Sequence, residues 1–561
     1  MTEPVPPKWL LPPGAPEGLA RRLNVPSVIA QILYRRGVTE AAELEAFLSS
    51  DLSSLHDPFS IPGMQEGVAR LLKACRSQER IAVFGDFDVD GVTATLILTK
   101  TLRRLGAEVI PYIPHRVQEG HGLNSPAVRK LRDSGTSLLV TVDCGITSSR
   151  EVAEANSLGM EVVITDHHML PPDPPRAHAI ISTAVETSRY PFEELTGAGI
   201  AFKLAQGLCQ ASGVAWDASL PELAALGTVG DVAPLLGENR ILVKEGLQII
   251  HKRPSPGVAE LCRAAGIEPR AVDTEAISYI LAPRLNASGR LRDSLTSYRL
   301  LEATSREEAA PLADELDALN RERQHLTDEA LNVARQEVLS QDTLPPLIFA
   351  ANEEFNPGVN GPVAGKLTDE FYRPAVVVAL GEVARGSARS IPEFDIGDAL
   401  ARCADLLRRH GGHPRAAGFV ADLENIPQLR RSLVQMAEQR LASLELSPHI
   451  AIDAEVSRGG LDGESIRWLH RLEPFGEGNQ PPVFLSRGVE VLRAYPIGEG
   501  GQHLRLIVQD KGVRWDAVAF RRGGRVPQEG SCVDLVFSLG TDSWQGRQVL
   551  ALRILDMACS R

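Results

Sequence analysis

The sequence lacks several features that mark common classes of protein. Its seven cysteines are scattered and contain no Cys-x-x-Cys pair, which argues against a disulfide framework or a zinc knuckle and favours reduced thiols in a cytoplasm. No apolar run is long enough to span a bilayer, no signal peptide fits the N-terminal residues, and no internal repeat is present. These absences favour a cytoplasmic globular protein that does not contact a membrane.

The chain also lacks the excess of basic residues expected of a protein that coats nucleic acid. Its formal net charge is -13. A local basic groove stays compatible with this value, because phosphate binding depends on where the charges lie and not on their sum.

The pattern of the sequence changes along its length, and 561 residues are too many for one hydrophobic core. Residues 1–75 are expected to form a helical lead-in. Short apolar strands alternating with helices predict a parallel-sheet α/β domain over residues 76–303. Leucines at helical spacing predict a connector helix over 304–342, followed by a smaller α/β domain over 343–445. Short strands between glycine-rich turns predict a small antiparallel β-barrel over 446–561.

Four acidic clusters each follow an apolar run. The clusters are Asp86-Phe87-Asp88-Val89-Asp90-Gly91, Asp143-Cys144-Gly145, Asp166-His167-His168 and Gly230-Asp231. In an open parallel sheet the carboxyl ends of the strands gather along one edge, and ligands bind there. Carboxylates and imidazoles gathered at that edge would repel one another unless cations lay between them. The set therefore predicts a hydrolytic metal centre.

The first cluster matches the first residues of an EF-hand calcium loop, but the residues before and after it do not. Such a loop needs a bidentate Glu at its twelfth position, where this chain has Ile97, and it follows a helix and not a strand. Carboxylate oxygens suit Mg²⁺ or Mn²⁺, and an added imidazole favours Mn²⁺. The alternative is that the acids only cap the following helix, a role open to Asp90 or Thr93. Three acids in five residues after an apolar strand favour the metal site.

The remaining clusters extend this centre. Asp143 is a candidate bridge between two ions, which lie about 3.5–4 Å apart in two-metal sites. Adjacent side chains at a strand end point to different sides, so one histidine of Asp166-His167-His168 can bind metal while its neighbour faces the substrate. Asp231 alone is weak evidence, and it gains weight from the preceding residues 227–230.

The four clusters resemble the motifs of the DHH phosphoesterase superfamily, and residues 411–418 resemble the signature of its partner domain, DHHA1. Further segments make the chain similar to the RecJ-type single-strand-specific exonucleases along nearly its whole length. They are Arg35-Arg36-Gly37, His56-Asp57-Pro58, Pro283–Arg290, Gly386–Ser390 and Pro474–Asn479. The C-terminal segment resembles an OB-fold.

The resemblance implies a role for each residue of the clusters. Two Mn²⁺ or Mg²⁺ ions would be held, one by Asp86 and Asp143, the other by Asp88, Asp143, His167 and Asp231. His168 would contact the scissile phosphate, and Asp166 would orient the histidines. A water activated at the ions would be the nucleophile.

Residues that bind the substrate are expected in both α/β domains. The candidates are Arg116, Arg284, Asn286, Arg290, Gln324, Arg373, Ser387, Arg389, Ser390, Gly411, Gly412 and His413. Residues 283–290 suggest a shaped loop, and residues 386–390 suggest a phosphate nest. Each arginine taken alone is more commonly a solvated surface charge. Polar Asn320, Arg323 and Gln324 in the middle of the connector helix could face a cleft, and Gln324 is expected to reach a nucleotide.

The barrel offers a second candidate surface for nucleic acid. Five of its arginines could form a groove there: Arg505, Arg514, Arg521, Arg522 and Arg525. Trp515 could stack on a base there, or it could fill the barrel. Phe520 is expected to fill the barrel.

The chain departs from the family pattern at places outside the metal set. Phe355-Asn356 stands in place of a Trp-His pair, His121 in place of a tyrosine, and Ser182-Thr183 in place of an Asn-Pro. These departures bear on substrate positioning or rate more than on the type of reaction. Ala82 stands where small DHH pyrophosphatases have a metal-binding histidine, which favours the nuclease branch.

The expected function is a metal-dependent exonuclease that degrades single-stranded DNA from the 5′ end to mononucleotides, in DNA repair and recombination. One alternative is a phosphodiesterase for short oligonucleotides or cyclic dinucleotides, which the lead-in and the barrel disfavour. The other is a non-catalytic DNA-binding scaffold, which the complete set of metal ligands disfavours. The resemblance also implies a single-strand-binding protein and a helicase as partners, and a monomer is expected.

Overall fold

The computed structural model describes residues 6–49, 51–116, 119–186, 188–456, 461–510, 512–524, 526–544 and 547–560. These residues form two compact units. The first unit contains residues 51–234 and 238–446, and the second contains residues 6–49, 235–237 and 447–560. The domain boundaries predicted above stay a prediction.

The helices and strands are numbered in chain order. The helices are α1 (Leu19–Leu23), α2 (Ser27–Arg35), α3 (Ala41–Leu48), α4 (Met64–Arg76), α5 (Val89–Arg104), α6 (Ser125–Asp133), α7 (Ser149–Ser157), α8 (Gly197–Ser212), α9 (Leu220–Gly230), α10 (Gly237–Lys252), α11 (Pro256–Ala265), α12 (Thr274–Ala276), α13 (Ala282–Leu291), α14 (Leu295–Glu302), α15 (Arg306–Leu339), α16 (Asn360–Phe371), α17 (Ile396–Ala401), α18 (Ile426–Leu441) and α19 (Gly463–Leu472). The strands are β1 (Lys8–Leu10), β2 (Arg80–Phe84), β3 (Glu108–Tyr112), β4 (Leu138–Val142), β5 (Glu161–Thr165), β6 (Ala179–Ile181), β7 (Ile348–Asn352), β8 (Ala375–Leu380), β9 (Ala384–Arg389), β10 (Leu407–His413), β11 (Ala416–Ala421), β12 (His449–Ala451), β13 (Ala454–Glu455), β14 (Val483–Ile497), β15 (His503–Asp510), β16 (Val513–Ala519), β17 (Cys532–Trp544) and β18 (Arg547–Cys559).

The first lobe of the first unit contains the predicted parallel sheet. Its strand order is β3-β2-β4-β5-β6, and each neighbouring pair is parallel. All five residues of β4 are buried, as expected for a strand whose two faces are both covered by helices. The carboxyl ends of β2, β4 and β5 bring the first three acidic clusters to one edge of this sheet.

The prediction that the fourth cluster also follows a strand is wrong. The apolar run before Asp231 is the end of α9, and Asp231 is the C-cap residue of that helix. Nearly every residue of α9 is buried, so its sequence has no polar face. A short run that is apolar on all sides cannot be assigned to a strand or a helix by its periodicity.

The long helix α15 connects the first lobe to the second, as predicted. It starts at the N-cap residue Ser305, whose hydroxyl accepts a hydrogen bond from the backbone N–H of Glu308. Helices α11, α13 and α14 of the first lobe contact α15, and so do α16 and β7 of the second lobe. The connector is therefore packed against both lobes.

The second lobe is a smaller α/β layer with a mixed sheet. Its strand order is β10-β11-β9-β8-β7, in which only β7 and β8 are parallel. Strand β10 lies at the edge, and six of its seven residues are exposed. An exposed edge strand of this kind is available to contact a ligand.

The second unit is a barrel on which the N-terminal helices pack. Its strand order is β13-β14-β15-β16-β18-β17, and pairing of β14 with β17 closes the barrel. Ile29 and Leu33 of α2 share a core with Phe484 of β14, and β1 pairs with β12. The Arg36 guanidinium donates to Asn479 Oδ1 and to the carbonyl of Gln480, the latter at 2.7 Å. Two of the segments that carry the family resemblance thus meet in space.

No helix in the described part of the chain has the length and apolar character needed to cross a bilayer.

A buried ionic network holds the first lobe together. Lys203 of α8 is fully buried, and its Nζ lies 3.1 Å from Glu238 Oε1. The same Nζ donates to the carbonyl of His56, and the Tyr190 hydroxyl donates to the other Glu238 oxygen. The segment His56-Asp57-Pro58 is thereby explained as part of a structural network.

We expect Lys203→Met to lower the free energy of unfolding by about 3–5 kcal/mol, because it leaves Glu238 buried without its cation. The matched control is Lys366→Met, since the Lys366 ammonium pairs with Asp328 at the surface and its loss should cost about 1 kcal/mol or less. Thermal unfolding of both variants measures the difference. Equal midpoints for the two variants would contradict a stabilising role for the network.

Candidate metal centre and substrate cleft

The first acidic cluster forms the start of α5. Asp88 is the N-cap residue, and its Oδ1 accepts hydrogen bonds from the backbone N–H groups of Asp90 and Gly91 at 3.0 and 3.1 Å. The cap is therefore Asp88, and not Asp90 or Thr93. Asp90 is buried, and its two oxygens accept from Gly197 and Ala198 at the start of α8, at 2.7 and 2.9 Å. Asp90 thus fixes two helix N-termini against each other.

Asp143 is held in an unusual backbone conformation directly after β4. Its φ is 58°, in the left-handed region, and its side chain is 4% exposed. The start of α8 lies against it so closely that a Cβ added at Gly197 would be 2.4 Å from the Asp143 Cβ. Only glycine at position 197 leaves room for this carboxylate.

The carboxylates and imidazoles form one continuous cluster, which we call the acidic centre. Within each of three sets, the possible ligand atoms lie within 4.8 Å of one another. The sets are Asp86, Asp88 and Asp143; Asp143, His167 and His168; and Asp90, His167 and Asp231. The structure therefore brings all five predicted metal ligands together, and it adds Asp90, which was not among them.

The two adjacent histidines differ in charge. Asp166 Oδ1 lies 2.7 Å from His168 Nδ1, and this contact is the main cause that raises the pKa of His168 to about 9. Burial, reinforced by the positive charge of His168, lowers the pKa of His167 to about 4. At neutral pH His167 therefore keeps a free lone pair for a cation, whereas His168 carries a proton for an anion.

The carboxylates of the acidic centre need a positive charge. Burial and then the neighbouring aspartates raise the pKa of Asp231 to about 8, and they hold the pKa of Asp143 well above its usual range. Burial and then Asp88 likewise raise the pKa of Asp86. Among the described residues, Oδ1 of Asp86 and Oδ1 of Asp143 are buried without a hydrogen-bond partner. Oxygen-rich donors with one neutral imidazole fit Mn²⁺ or Mg²⁺.

Beside the acidic centre lies a group of arginines, Arg116, Arg290, Arg323 and Arg389, which we call the arginine cluster. Burial and then the other three guanidinium groups lower the pKa of Arg290 to about 9. Within the described part of the chain, none of the four forms a salt bridge. The Arg116 guanidinium lies 4.7 Å from the centre of the Phe87 ring, next to the acidic centre. Half-buried guanidinium groups without a salt-bridge partner are suited to bind a phosphate.

The arginine cluster contains three predicted substrate-binding residues and one that was not predicted. Arg323 is on α15, in the polar middle that was expected to face a cleft, but only its exposed neighbour Gln324 was selected as a substrate-binding residue. Three-dimensional proximity to Arg290 is what distinguishes it.

The expected loop over residues 283–290 is wrong, because these residues belong to α13. Pro283 is the second residue of α13, which continues directly from a π-helical turn over Ile277–Leu281. The Arg284 guanidinium is neutralised by Asp317 at 3.0 Å, and Asn286 Oδ1 accepts from the backbone N–H of Val89 at 2.9 Å. Arg284 therefore binds α15, and Asn286 binds the start of α5 next to the acidic centre.

The expected phosphate nest over residues 386–390 is also wrong, because residues 384–389 form β9. Ser387 and Arg389 are half-buried on this strand, whereas the Ser390 hydroxyl is buried and donates to the carbonyl of Phe394 at 2.7 Å. Arg373 lies just before β8 and donates to the carbonyl of Tyr372 at 2.9 Å. Of this group, Arg389 is the residue that joins the arginine cluster.

Gly411, Gly412 and His413 end the edge strand β10, opposite Gly418, Ala417 and Ala416 of β11. His413 is near enough to His167 to influence its ionisation, so the second lobe reaches the acidic centre here.

The departure at Phe355-Asn356 has a local explanation. Phe355 is buried in a core, and Asn356 Oδ1 accepts from the backbone N–H of Gly358, whose carbonyl accepts from Arg290.

Some side chains of the barrel do not lie where they were expected. Phe520 is 57% exposed, so the expectation that it fills the barrel is wrong. Trp515 is partly buried against the barrel core. Arg522 pairs with Asp556 at 2.7 Å, and Arg505 lies 3.5 Å from Asp516. Arg525 lies outside the described residues.

We expect Gly197→Ala to weaken Mn²⁺ binding about tenfold or more, because the added methyl group displaces Asp143. The control is Gly365→Ala in α16, where a Cβ meets no atom within 4 Å. Isothermal titration calorimetry compares the two proteins. Unchanged affinity in Gly197→Ala would show that Asp143 need not occupy this position.

The raised pKa values predict how stability depends on pH in the absence of metal. Between about pH 4 and 8 the folded state keeps protons on Asp90, with a pKa of about 7, and on Asp231, with a pKa of about 8, that the unfolded state releases. The free energy of unfolding should therefore fall as pH rises, by up to about 1.4 kcal/mol per pH unit for the buried Asp90. The contribution of Asp231 should be smaller, because this residue is exposed and its charge is screened by solvent. The raised pKa of His168 acts in the same direction, since its contribution is lost as pH rises through about 9.

Thermal unfolding between pH 5.5 and 8.5, in EDTA or in Mn²⁺, measures this dependence. Mn²⁺ should remove most of it, because the ions take the place of the protons, and Asp231→Asn should reduce it in EDTA. A midpoint in EDTA that rises with pH would contradict the account.

Comparison with known proteins gives a consistent assignment. Residues 80–228 match the DHH family, N-terminal domain; residues 344–439 match the DHHA1 domain; and residues 452–556 match the RecJ OB domain. The chain is 37% identical to the single-stranded-DNA-specific exonuclease RecJ of Bacillus subtilis, over 97% of this chain and 69% of that protein. It is 32% identical to the protein of that name from Salmonella typhimurium, over 95% of this chain and 96% of that protein.

Solved structures agree with this assignment. A crystal structure of RecJ from Thermus thermophilus in complex with Mn²⁺ has a TM-score of 0.85 and 32% identity, and it covers 100% of this chain and 80% of that chain. The corresponding complex with Mg²⁺ has a TM-score of 0.80 and 31% identity, over 100% and 79% of the two chains. The chain is similar to these proteins over nearly its whole length, and it contains the DHH, DHHA1 and OB domains in that order. The chain therefore belongs to the RecJ family of DHH phosphoesterases.

Proposed function

We propose that this protein is a Mn²⁺- or Mg²⁺-dependent exonuclease that hydrolyses single-stranded DNA from the 5′ end and releases mononucleotides. The observation that carries the proposal is the position of the arginine cluster next to the acidic centre. One site is suited to cations, and its neighbour is suited to a phosphate. The relatives named above as single-stranded-DNA-specific exonucleases support the substrate class.

The residues proposed to hold two ions are Asp86, Asp88, Asp143, His167 and Asp231. When bound, the ions lower the pKa of water and neutralise charge that develops on phosphorus and on the leaving oxygen. Asp143 belongs to two of the three ligand sets, which supports its role as the bridging carboxylate.

His168 is proposed to contact the scissile phosphate as an imidazolium. Its Nδ1 is engaged by Asp166 Oδ1, so the second proton is held at Nε2. Asp166 in turn is fixed by the backbone N–H of Ile146, which donates to its Oδ2 at 3.0 Å. Asp166 is therefore a positioning residue that keeps the proton and the ring of His168 in place.

The arginine cluster is proposed to bind the phosphate at the 5′ end of the strand. Arg116 faces both sites, because its charge acts on Asp86 and Asp88 while it also lowers the pKa of Arg290 and Arg389. A strand held by its terminal phosphate would then place the next phosphodiester over the acidic centre. This arrangement accounts for cleavage from one end and for release of single nucleotides.

Selectivity for a single strand is proposed to be steric. Arg290 of the first lobe donates to the carbonyl of Gly358 in the second lobe at 3.2 Å, and β10 reaches the acidic centre through His413. The cleft between the lobes would admit one strand and exclude a duplex. Binding should weaken as salt rises, because guanidinium groups make the phosphate contacts.

The proposed setting is DNA repair and recombination in the cytoplasm. There the protein would act as a monomer on strands that a helicase exposes and a single-strand-binding protein covers. These partners rest on the family resemblance.

The test uses single-stranded DNA labelled at either end, with Mn²⁺, and compares the wild type with Asp143→Ala. The wild type should release labelled mononucleotides from the 5′ side, and Asp143→Ala should be slower by about 10³-fold or more, because the ligand proposed to hold both charge-neutralising ions is lost. Asp133→Ala, at an exposed aspartate at the end of α6, is the control. Hydrolysis of dinucleotides in place of long strands would favour the phosphodiesterase alternative, and degradation from the 3′ end would contradict the proposed polarity.

A further inference from the structure

The edge strand β10 of the second lobe crosses the mouth of the acidic centre. Arg409, near its start, donates through Nη2 to the carbonyl of His121 at 3.3 Å, in the segment after β3. His413, at its end, lies near His167, in the segment after β5. The strand therefore extends from one side of the carboxyl edge of the parallel sheet towards the other.

The dimensions of the two sheets agree with this crossing. Four residues separate Arg409 from His413, which is about 13 Å along a strand. In the parallel sheet, β3 and β5 are separated by β2 and β4, which places them about 14 Å apart. Strand β10 thus spans the ends of the strands that carry Asp86, Asp143 and His167.

The segment that accepts the hydrogen bond from Arg409 is held in place by contacts on both sides of His121. Glu119 accepts hydrogen bonds from the Tyr112 hydroxyl and from the backbone N–H of His115, each at 2.7 Å. The His121 ring packs edge-on against Phe87 at 4.6 Å between centroids, and its Nδ1 lies 3.4 Å from Asp86 Oδ2. His121 therefore touches the acidic centre with its side chain and the second lobe with its carbonyl.

The lobes are also joined elsewhere, by α15 and by the hydrogen bond between Arg290 and Gly358. The contact at Arg409 adds a third connection between the lobes, on the side of the cleft at β3. A strand with no free end could not enter the cleft from that side while the contact at Arg409 persists.

We propose that the contact between Arg409 and His121 closes the side of the cleft at β3, so that DNA reaches the acidic centre only by threading a free end beneath β10. Arg409 and His121 are then determinants of the requirement for an end, and the acidic centre alone does not impose it. This inference rests on the proposed function and adds how its substrate is admitted.

The neighbouring residue supplies a matched control. The pairing of β10 with β11 shifts register between Leu407 and Arg409, and the side chains of Arg408 and Arg409 contact different lobes. The Arg408 guanidinium pairs with Asp422 of the second lobe itself, whereas Arg409 points to the first lobe. Substituting either arginine by glutamine removes one charge from the same exposed strand.

The experiment compares linear and circular single-stranded DNA of the same sequence. Wild type, Arg409→Gln, Arg409→Lys and Arg408→Gln are assayed for hydrolysis with Mn²⁺. The same three substitutions in an Asp143→Ala background are assayed for equilibrium binding, which does not depend on hydrolysis. Wild type and Arg408→Gln should act on the linear strand and leave the circle intact.

Arg409→Gln should lower the preference for linear DNA about tenfold or more, because a charge-assisted hydrogen bond is lost, while its rate on the linear strand stays within about threefold of wild type. Arg409→Lys should lie between the two. A preference in Arg409→Gln equal to that of wild type, or wild-type activity on circles, would overturn the inference. Binding that discriminates against circles without hydrolysis of either DNA would uphold the inference and overturn the proposed function.

Discussion

Mutual repulsion among buried carboxylates is the constraint on which this structure depends. Asp86, Asp90 and Asp143 are almost inaccessible to solvent, and Asp88 and Asp231 lie next to them. Such a group is tolerated only when protons or cations balance its charge. The fold holds the carboxylates together regardless, so it is built to be completed by metal ions.

The fold holds these carboxylates together at the ends of helices and by the close approach of α8 to Asp143. The N-terminus of α5 is capped by Asp88, the N-terminus of α8 is bound by Asp90, and the C-terminus of α9 carries Asp231. Gly197 lets α8 begin against Asp143. The arginine cluster adds positive charge beside this negative one, from both lobes and from α15. Opposite charges side by side leave a space suited to a phosphodiester.

Much of this arrangement could be predicted from the sequence, because it follows from local patterns. The apolar strands with acids after them predicted the parallel sheet and the convergence of Asp86, Asp143 and His167. Asp231 was selected although its helix was taken for a strand, since α9 is apolar on all sides. Arg284 and Asn286 were selected as substrate ligands, but they bond to Asp317 and Val89, which are distant in sequence. Arg323 and the exposure of Phe520 likewise depend on tertiary contacts that have no local pattern.

The central claim is that the acidic centre holds two adjacent cations bridged by Asp143. Electron paramagnetic resonance of the protein titrated with Mn²⁺ tests it most directly, because two ions about 3.5–4 Å apart couple to each other. The account predicts two Mn²⁺ ions per chain with a coupled spectrum, and loss of the coupling in Asp143→Ala. A spectrum of isolated ions in the wild type, or a coupled spectrum that persists in Asp143→Ala, would contradict it.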